Sequence, residues 1–193
     1  MIPIVVEKTA RGERTVDIYS RLLMERTIFL VGPIEMIMAT DIVAQIMYLS
    51  SQDSSQPINL YIQSGGGSVD AGNAILDCID LIECPVKTIA TGSVASMAAV
   101  ILSNGTRGLR CSTPRASIMV HQPKSYHISG QATDVEIQAE QLLKTKRDLT
   151  ELLAKNCGKN YADMLRIMER DYFMTADESI ELGIIDDVLK KSV

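Results

Sequence analysis

Residues 58–82 read INLYIQSGGGSVDAGNAILDCIDLI, and this stretch decides the fold. Its first part, Ile58–Ile62, is typical of a short buried strand, and Val69–Ile82 is typical of a helix. The glycines between them, Gly65–Gly67, favour a tight turn because they lack a Cβ atom. The stretch therefore predicts a strand, a turn and a helix in that order.

The same alternation continues on both sides of this stretch. Further strands are predicted at Ile28–Val31, Val86–Ala90 and Ile118–Val120, and further helices at Met36–Leu49 and Met97–Leu102. Strands that alternate with helices indicate an α/β fold with a largely parallel sheet.

A much longer helix is predicted in the second half of the chain. Thr133 and Glu136 have the spacing of a capping box, apolar residues then recur near the helical period, and Gly158 suits the end of the helix. Two arrangements are open for so long a helix: part of it projects towards another subunit, or its whole length lies along the core.

The two ends of the chain carry weaker signals. A second capping box, Thr175 with Glu178, predicts a short helix that ends at Gly183, and Ile184–Leu189 is predicted to be the closing strand. Residues 1–14 are polar and weakly patterned, so we expect them to be mobile.

Composition excludes several classes of protein. The 193 residues fit one domain, and 24 acidic against 19 basic residues argue against binding to nucleic acid. No apolar run reaches the ~18 residues that a membrane span needs, and the first residues lack the apolar core of a secretory signal. The four cysteines form no CxxC pair and the chain has two histidines, so we predict no metal site. The interpretation is a single-domain intracellular protein.

The glycine-rich turn has the position of a nucleotide phosphate loop, between a strand and a helix. No Gly-Lys-Ser/Thr follows it and Asp70 would repel a pyrophosphate, so no nucleotide cofactor is predicted. The amides of such a turn approach a ligand closely and would stabilise an oxyanion. A plain tight turn is the alternative.

Ser96 lies among small residues directly after a predicted strand. The next backbone amide, that of Met97, would point outward as an oxyanion donor, and the start of a helix adds positive potential. Gly-x-Ser-x-Gly is absent, which argues against an α/β-hydrolase. Taken alone, Ser96 fits a helix N-cap better than a nucleophile.

A serine nucleophile needs a base, and an acid that orients the base. His121 ends the predicted strand Ile118–Val120, where a satisfied core histidine is an equal alternative. His127 lies in a polar loop and is interpreted as a surface residue. Asp171 lies between a predicted helix and two aromatic residues, and taken alone it is better interpreted as a surface charge.

At these residues the sequence resembles the ClpP-type caseinolytic protease subunits. Five blocks in the family's order carry the resemblance: RGER with DIYSRLL in residues 11–23, ASM at 95–97, MVHQP at 119–123, GQATD at 130–134 and ERD at 169–171. The resemblance implies that Ser96 is the nucleophile, His121 the general base and Asp171 the acid that orients the imidazole. It also implies that the amides of Gly66 and Met97 form the oxyanion hole.

The resemblance further implies a fold and an assembly. Residues 1–193 would form one crotonase-like α/β spiral of repeated β-β-α units with a projecting handle helix. Subunits would form two stacked seven-membered rings, a tetradecamer, around a closed chamber in the cytoplasm. The handle region, residues 122–158, would interleave the rings, and a strand near residues 122–132 would align the substrate backbone. Residues 1–16 would be a mobile segment lining the axial pore.

The resemblance implies one partner of another kind, a AAA+ unfoldase that feeds in polypeptide using ATP, while this chain binds no nucleotide. Its docking pocket would include Tyr61 and Leu189, which keep an apolar character. Other positions of that pocket are more polar than in the family: Asn59, Thr91, Cys111 and Thr113. Since unpaired polar groups weaken an apolar anchor site, this favours a chain that docks the unfoldase weakly and shares its ring with a paralogous subunit.

The sequence also departs from the family pattern in three motifs. Gly65 stands where the family usually has proline, Ala98 replaces a common glycine, and residues 124–129 lack the usual pair of glycines. The leading hypothesis is a serine endopeptidase subunit that hydrolyses unfolded polypeptides to short peptides. Two alternatives stay open: a crotonase-like acyl-CoA enzyme, and a second paralogue with a structural or regulatory role in a mixed ring.

Overall fold

The computed structural model describes residues 2–9, 12–125 and 128–190. The strands are β1 (Ile4–Thr9), β2 (Gly12–Asp17), β3 (Thr27–Val31), β4 (Ile58–Ser64), β5 (Val86–Ala95), β6 (Cys111–Ser112), β7 (Ser117–Val120), β8 (Tyr172–Met174) and β9 (Asp187–Val188). The helices are α1 (Ile18–Met24), α2 (Met36–Gln52), α3 (Val69–Leu81), α4 (Met97–Ser103), α5 (Ala132–Cys157), α6 (Tyr161–Ile167) and α7 (Ala176–Leu182).

Seven of the strands form one sheet, in the order β3-β4-β5-β6-β9, with β7 paired to β5 and β8 paired to β7. Every pairing in this sheet is parallel except that of β7 with β8. The helices α2, α3 and α4 connect successive strands. The α/β fold with a largely parallel sheet, predicted from the alternating pattern, is therefore confirmed.

The core fixes the carboxyl ends of β4 and β5. Ile58, Leu60 and Ile62 alternate along β4 and are fully buried, and burial of each such side chain contributes about 1.5–3 kcal/mol. All residues of α4 are buried, as expected of a helix that is apolar on every side. The Met97 side chain lies against α3 at Gly72, where a Cβ atom would collide with Met97 Cγ.

The long helix α5 has 26 residues and a length of about 39 Å. Its buried residues all lie in the last third, and residues 132–148 contain none. The first part of the helix therefore projects from the core and does not lie along it, whereas its packing against another subunit stays a prediction. It ends at Gly158, as predicted, with φ 65°.

The capping box predicted at the start of this helix is wrong. The N-cap is Gln131, whose N–H donates to Asp134 Oδ2 at 3.3 Å. Asp134 satisfies the free amide two residues before the predicted position, so the helix begins earlier than Thr133. The second capping box, Thr175 with Glu178, is confirmed.

Three other segments differ from the expectations. Residues 4–9 and 12–17 form the antiparallel strand pair β1 and β2, which the weak pattern did not indicate. The mobility of residues 1–14 stays a prediction, and residues 1, 10 and 11 lie outside the described ranges. The closing strand β9 has two residues, Asp187 and Val188, because Ile184 and Ile185 are buried in the turn after α7. The described residues of 122–131 form no strand.

None of the helices in the described part of the chain is long and apolar enough to cross a membrane.

Candidate active site

Ser96 lies between β5 and α4, where the strand turns into the helix. Its backbone has φ 57° and ψ −128°, and Arg26 is the one other non-glycine residue with a positive φ in the described ranges. Such conformations cost about 1–3 kcal/mol and concentrate at functional sites. Ser96 occupies the N-cap position, but its side chain caps no backbone amide. The N-cap alternative therefore does not explain this serine.

His121 reaches Ser96 because of the strand register. It directly follows β7, which pairs in parallel with β5 so that Met119 lies opposite Ala95. The Ser96 N–H donates to the Met119 carbonyl at 2.9 Å. The His121 Nε2 atom lies 2.8 Å from Ser96 Oγ, and the imidazole is 11% exposed.

Asp171 is placed by the antiparallel pairing of β8 with β7, in which Tyr172 lies opposite Val120. It directly precedes β8, so it lies next to His121. Asp171 Oδ1 is 3.0 Å from His121 Nδ1. The structure thus joins three residues that are distant in the sequence.

The three side chains form one continuous chain of hydrogen bonds. Since the carboxylate is only an acceptor, we assign the neutral imidazole proton to His121 Nδ1. Nε2 is then the acceptor for the Ser96 hydroxyl proton. This is the arrangement that makes a serine hydroxyl nucleophilic.

The glycine-rich turn after β4 packs directly against Ser96. A Cβ atom on Gly66 would lie 2.7 Å from Ser96 Cβ and 2.8 Å from the Ala95 carbonyl oxygen, and its φ is 93°. Both facts require glycine at this position. The turn and the Ser96 junction therefore form one site.

The amide predicted as an oxyanion donor at Gly66 is already occupied. It donates to Ser64 Oγ at 3.1 Å, and that hydroxyl donates to the Gly32 carbonyl at 2.6 Å. Serine hydroxyls in turns commonly accept from the backbone amide two residues ahead, and Ser64 is such a serine. The amides of Gly67 and Met97 have no hydrogen-bond partner among the described residues. Gly67 therefore replaces Gly66 as the candidate donor beside Met97.

Lys124 is a further residue of the site that the sequence did not indicate. Its Nζ atom donates to Asp171 Oδ1 at 3.0 Å, the same oxygen that faces His121 Nδ1. The hydrogen bond from Lys124, followed by that from His121, lowers the pKa of the Asp171 carboxyl. The only sequence signal was the position of Lys124, three residues after His121.

A cleft of about 310 Å³ opens at Ser96. Its lining comprises Gly65, Gly66, Gly67, Val69, Ser96, Met119, His121, Pro123 and Lys124.

Other kinds of reactive site find no support in the structure. The four cysteines are buried and unpaired. Burial raises the pKa of the Cys157 thiol to about 11, which argues against a nucleophilic thiolate at this residue. No group of metal-ligating side chains occurs in the described ranges. His127 lies outside them.

The two residues predicted to dock the unfoldase lie on one face of the sheet, away from the cleft. Tyr61 on β4 is in register with Ile89, Cys111 and Asp187 on the neighbouring strands, and it stacks on Phe29 with 5.5 Å between ring centroids. Leu189 lies two residues beyond Asp187, so it faces the same side. Both residues are half-buried.

An α/β fold with a hydrogen-bonded serine, histidine and aspartate is typical of serine hydrolases. A family model described as Clp protease matches residues 10–192. The ATP-dependent Clp protease proteolytic subunits of Streptococcus pyogenes serotype M5 (strain Manfredo) and serotype M49 (strain NZ131) are each 47% identical over 193 residues, which is 100% of this chain and 98% of each relative. The chain therefore belongs to the Clp protease family, a family of serine peptidases.

Proposed function

We propose that this chain is a serine endopeptidase in which Ser96 attacks the peptide carbonyl and His121 is the general base. Asp171 holds the imidazole in the tautomer that accepts the hydroxyl proton. The observation that carries this proposal is the distance of 2.8 Å between Ser96 Oγ and His121 Nε2, with Asp171 on the other ring nitrogen.

The steps follow from this geometry. As Ser96 Oγ bonds to the carbonyl carbon, its proton passes to His121 Nε2, and the carboxylate stabilises the resulting imidazolium. The amides of Met97 and Gly67 donate to the oxyanion that forms. His121 then returns the proton to the departing amine, which leaves an acyl group on Ser96. Water, activated by the same base, releases the acyl group and restores the serine.

The proposal includes an assembly. The relatives are named as ATP-dependent proteolytic subunits, and we extend this to a chain that hydrolyses unfolded polypeptides inside two stacked seven-membered rings in the cytoplasm. The projecting half of α5, the handle helix, supports it, because Ile137 and Leu143 are about 60% exposed there. Apolar side chains exposed on a projecting helix favour burial against another subunit.

An unfoldase would dock on the sheet face that carries Tyr61 and Leu189. Two of the polar residues that argued for weak docking are satisfied internally: Thr91 Oγ1 donates to the Ile62 carbonyl at 3.3 Å and Thr113 Oγ1 to the Ala90 carbonyl at 3.2 Å. A paired hydroxyl costs less to cover than a free one. The mixed ring with a paralogous subunit therefore loses part of its support.

The rival functions explain less of the site. A crotonase-like acyl-CoA enzyme would use two amides as an oxyanion hole, but it has no use for a serine hydrogen-bonded to a histidine and an aspartate. A purely structural subunit would not need the strained backbone of Ser96.

Substitution of the nucleophile tests the proposal. We expect Ser96→Ala to lower hydrolysis of a fluorogenic peptide by more than about a thousandfold without a change in the native mass of the assembly. Wild-type Ser96 should also be labelled by a fluorophosphonate probe.

The matched control is Ser51→Ala, since Ser51 is an exposed serine on α2 whose hydroxyl bonds only within its own helix. It should retain wild-type hydrolysis. Hydrolysis by Ser96→Ala above a thousandth of the wild-type rate would refute the assignment, and retention of coenzyme A would favour the acyl-CoA enzyme.

A further inference from the structure

Asp171, the carboxylate beside His121, is in contact with solvent. The Asp171 side chain is 45% exposed, and so burial does not hold it beside the imidazole. Among the described residues, its carboxylate accepts hydrogen bonds from the side chains of His121 and Lys124 alone, each at 3.0 Å. Both donors meet the same oxygen, Oδ1.

Lys124 affects this carboxylate in two ways. Its ammonium fixes one oxygen of Asp171 in the direction of His121 Nδ1. The same positive charge cancels part of the negative potential that the carboxylate exerts on the imidazole. A weaker negative potential favours the neutral imidazole, which is the form that accepts the hydroxyl proton of Ser96.

Among the described residues, no charged side chain other than His121 and Lys124 forms a hydrogen bond with Asp171, although Arg170 lines the same pocket. Glu169 is paired with Lys146, and Arg166 is paired with Asp163. The remaining charged or titratable residues that line the adjoining surface are Lys159, Arg170, Tyr172, Glu178 and Glu181. On the other side of the imidazole, Lys124 is the one further charged residue in the lining of the Ser96 cleft, as far as the described residues show.

We propose that Lys124 is a positioning residue that holds Asp171 against His121 and moves the acid limit of peptide hydrolysis to lower pH. It acts through Asp171 and does not touch the reacting atoms. This inference rests on the proposed serine-peptidase function. It also gives a role to a lysine in residues 124–129, where the sequence departs from the family pattern.

The test compares pH profiles of kcat/KM for a fluorogenic peptide without charged side chains, measured on the assembled full-length chain. Lys124→Met removes the ammonium and keeps an unbranched side chain of similar length. In this variant the acid limb, the pH range over which kcat/KM falls on acidification, should move to higher pH by about half a unit. At a pH below that range this corresponds to about a threefold lower kcat/KM. At alkaline pH the two enzymes should agree within about twofold. Lys124→Arg should restore the wild-type limb because it retains the cation.

The dependence of the acid limb on ionic strength is a second measurement. If Lys124 only supported the fold, the acid limb would not depend on salt in this way. Because Lys124 and Asp171 are both about half exposed, their pairing is screened as ionic strength rises. The wild-type acid limb should therefore move towards that of Lys124→Met in high salt, and the limb of the variant should stay fixed. Arg166→Met, which removes an exposed cation paired with Asp163 on α6, is the matched control and should behave as wild type.

Superimposed pH profiles of wild type and Lys124→Met would overturn the inference. So would an equal loss at every pH in Lys124→Met and Lys124→Arg, or a change in KM confined to peptides with acidic side chains. None of these outcomes touches the proposed function, which fails separately if Ser96→Ala still hydrolyses the peptide.

Discussion

Asp186 and Asp171 are both carboxylates paired with a cation, but they differ in burial and in the number of hydrogen-bond donors around them. Asp186 Oδ2 accepts from Arg110 Nε at 2.9 Å and from the backbone amides of Gly108 and Arg110 at 2.8 and 3.0 Å. Arg110 is buried and also donates to the Asn156 carbonyl at 2.9 Å. This pair joins the end of α5 to the segment that leads into β9.

Asp171 has fewer donors and far more contact with solvent. Its two recorded bonds come from a half-exposed lysine and from an imidazole. A carboxylate saturated by guanidinium and backbone donors is suited to hold segments together. A carboxylate with few donors still exerts its charge on the neighbouring imidazole. The comparison therefore separates a structural ion pair from one suited to catalysis.

The pKa of each carboxyl is lowered, but the causes differ. For Asp186, burial has the largest single influence and raises the pKa, and the hydrogen bonds and charge of Arg110, with the hydrogen bond from the Gly108 amide, together outweigh it. For Asp171, the hydrogen bond from Lys124 is the largest influence. The pKa is therefore lowered in both carboxyls, but for different reasons. In Asp186 several hydrogen bonds and a positive charge outweigh the effect of burial. In Asp171 an exposed pairing with Lys124 is the main cause.

The largest expected effect is a difference in catalytic activity between variants of the two aspartates. We expect Asp171→Asn to lower kcat for peptide hydrolysis by about 10³–10⁴-fold, because an amide no longer holds the tautomer with a free Nε2. Its free energy of unfolding should change by less than about 0.5 kcal/mol, since the residue is exposed. Steady-state kinetics and denaturant unfolding of the same preparation measure both quantities.

Asp186→Asn is the matched control for this result. Its activity per folded molecule should stay near the wild-type value, because Asp186 has no contact with the serine or the histidine. An Asp171→Asn enzyme with a tenth or more of the wild-type kcat would show that Asp171 has no essential role.

The second effect is a difference in stability between variants of a buried arginine, Arg110, and an exposed one, Arg166. Arg110→Met leaves the Asp186 carboxylate without its partner, and we expect a loss of about 3 kcal/mol in the free energy of unfolding. Arg166→Met breaks an exposed pair with Asp163 and should cost less than about 0.5 kcal/mol. Denaturant titrations at one fixed protein concentration compare the two. Equal losses in both variants would contradict the distinction between buried and exposed pairs.

The sequence predicts the elements around the site better than the contacts within it. The strand at Ile58–Ile62 and the helices on either side follow from apolar periodicity, which reports local burial. Ser96, His121 and Asp171 were each ambiguous from the residues alone, and only the family resemblance pointed to them jointly. Their meeting depends on the register of β7 with β5 and β8, which no local pattern encodes.

The missed features share a physical cause. Lys124 pairs with Asp171 across 47 positions, and Ser64 withdraws the Gly66 amide through a side-chain bond inside a turn. Neither contact changes hydrophobic periodicity, which is the main signal available in a single sequence. The start of α5 was predicted wrongly for a related reason. Its N-cap is Gln131, and glutamine is not among the preferred N-cap residues.

The smallest effect concerns acid stability and sharpens the difference between the two pairs. Because the pKa of Asp186 is lower in the folded chain than in the unfolded one, its pairing contributes stability above the unfolded value of about 3.9 and loses it as the pH falls through the folded value. The difference in free energy of unfolding between wild type and Arg110→Met should therefore shrink by about 1 kcal/mol between pH 7 and pH 3.5. The corresponding difference for Arg166→Met should stay small throughout. A difference for Arg110→Met that stays constant over this range would mean that Arg110 stabilises the fold by packing its side chain and not through the charge of Asp186.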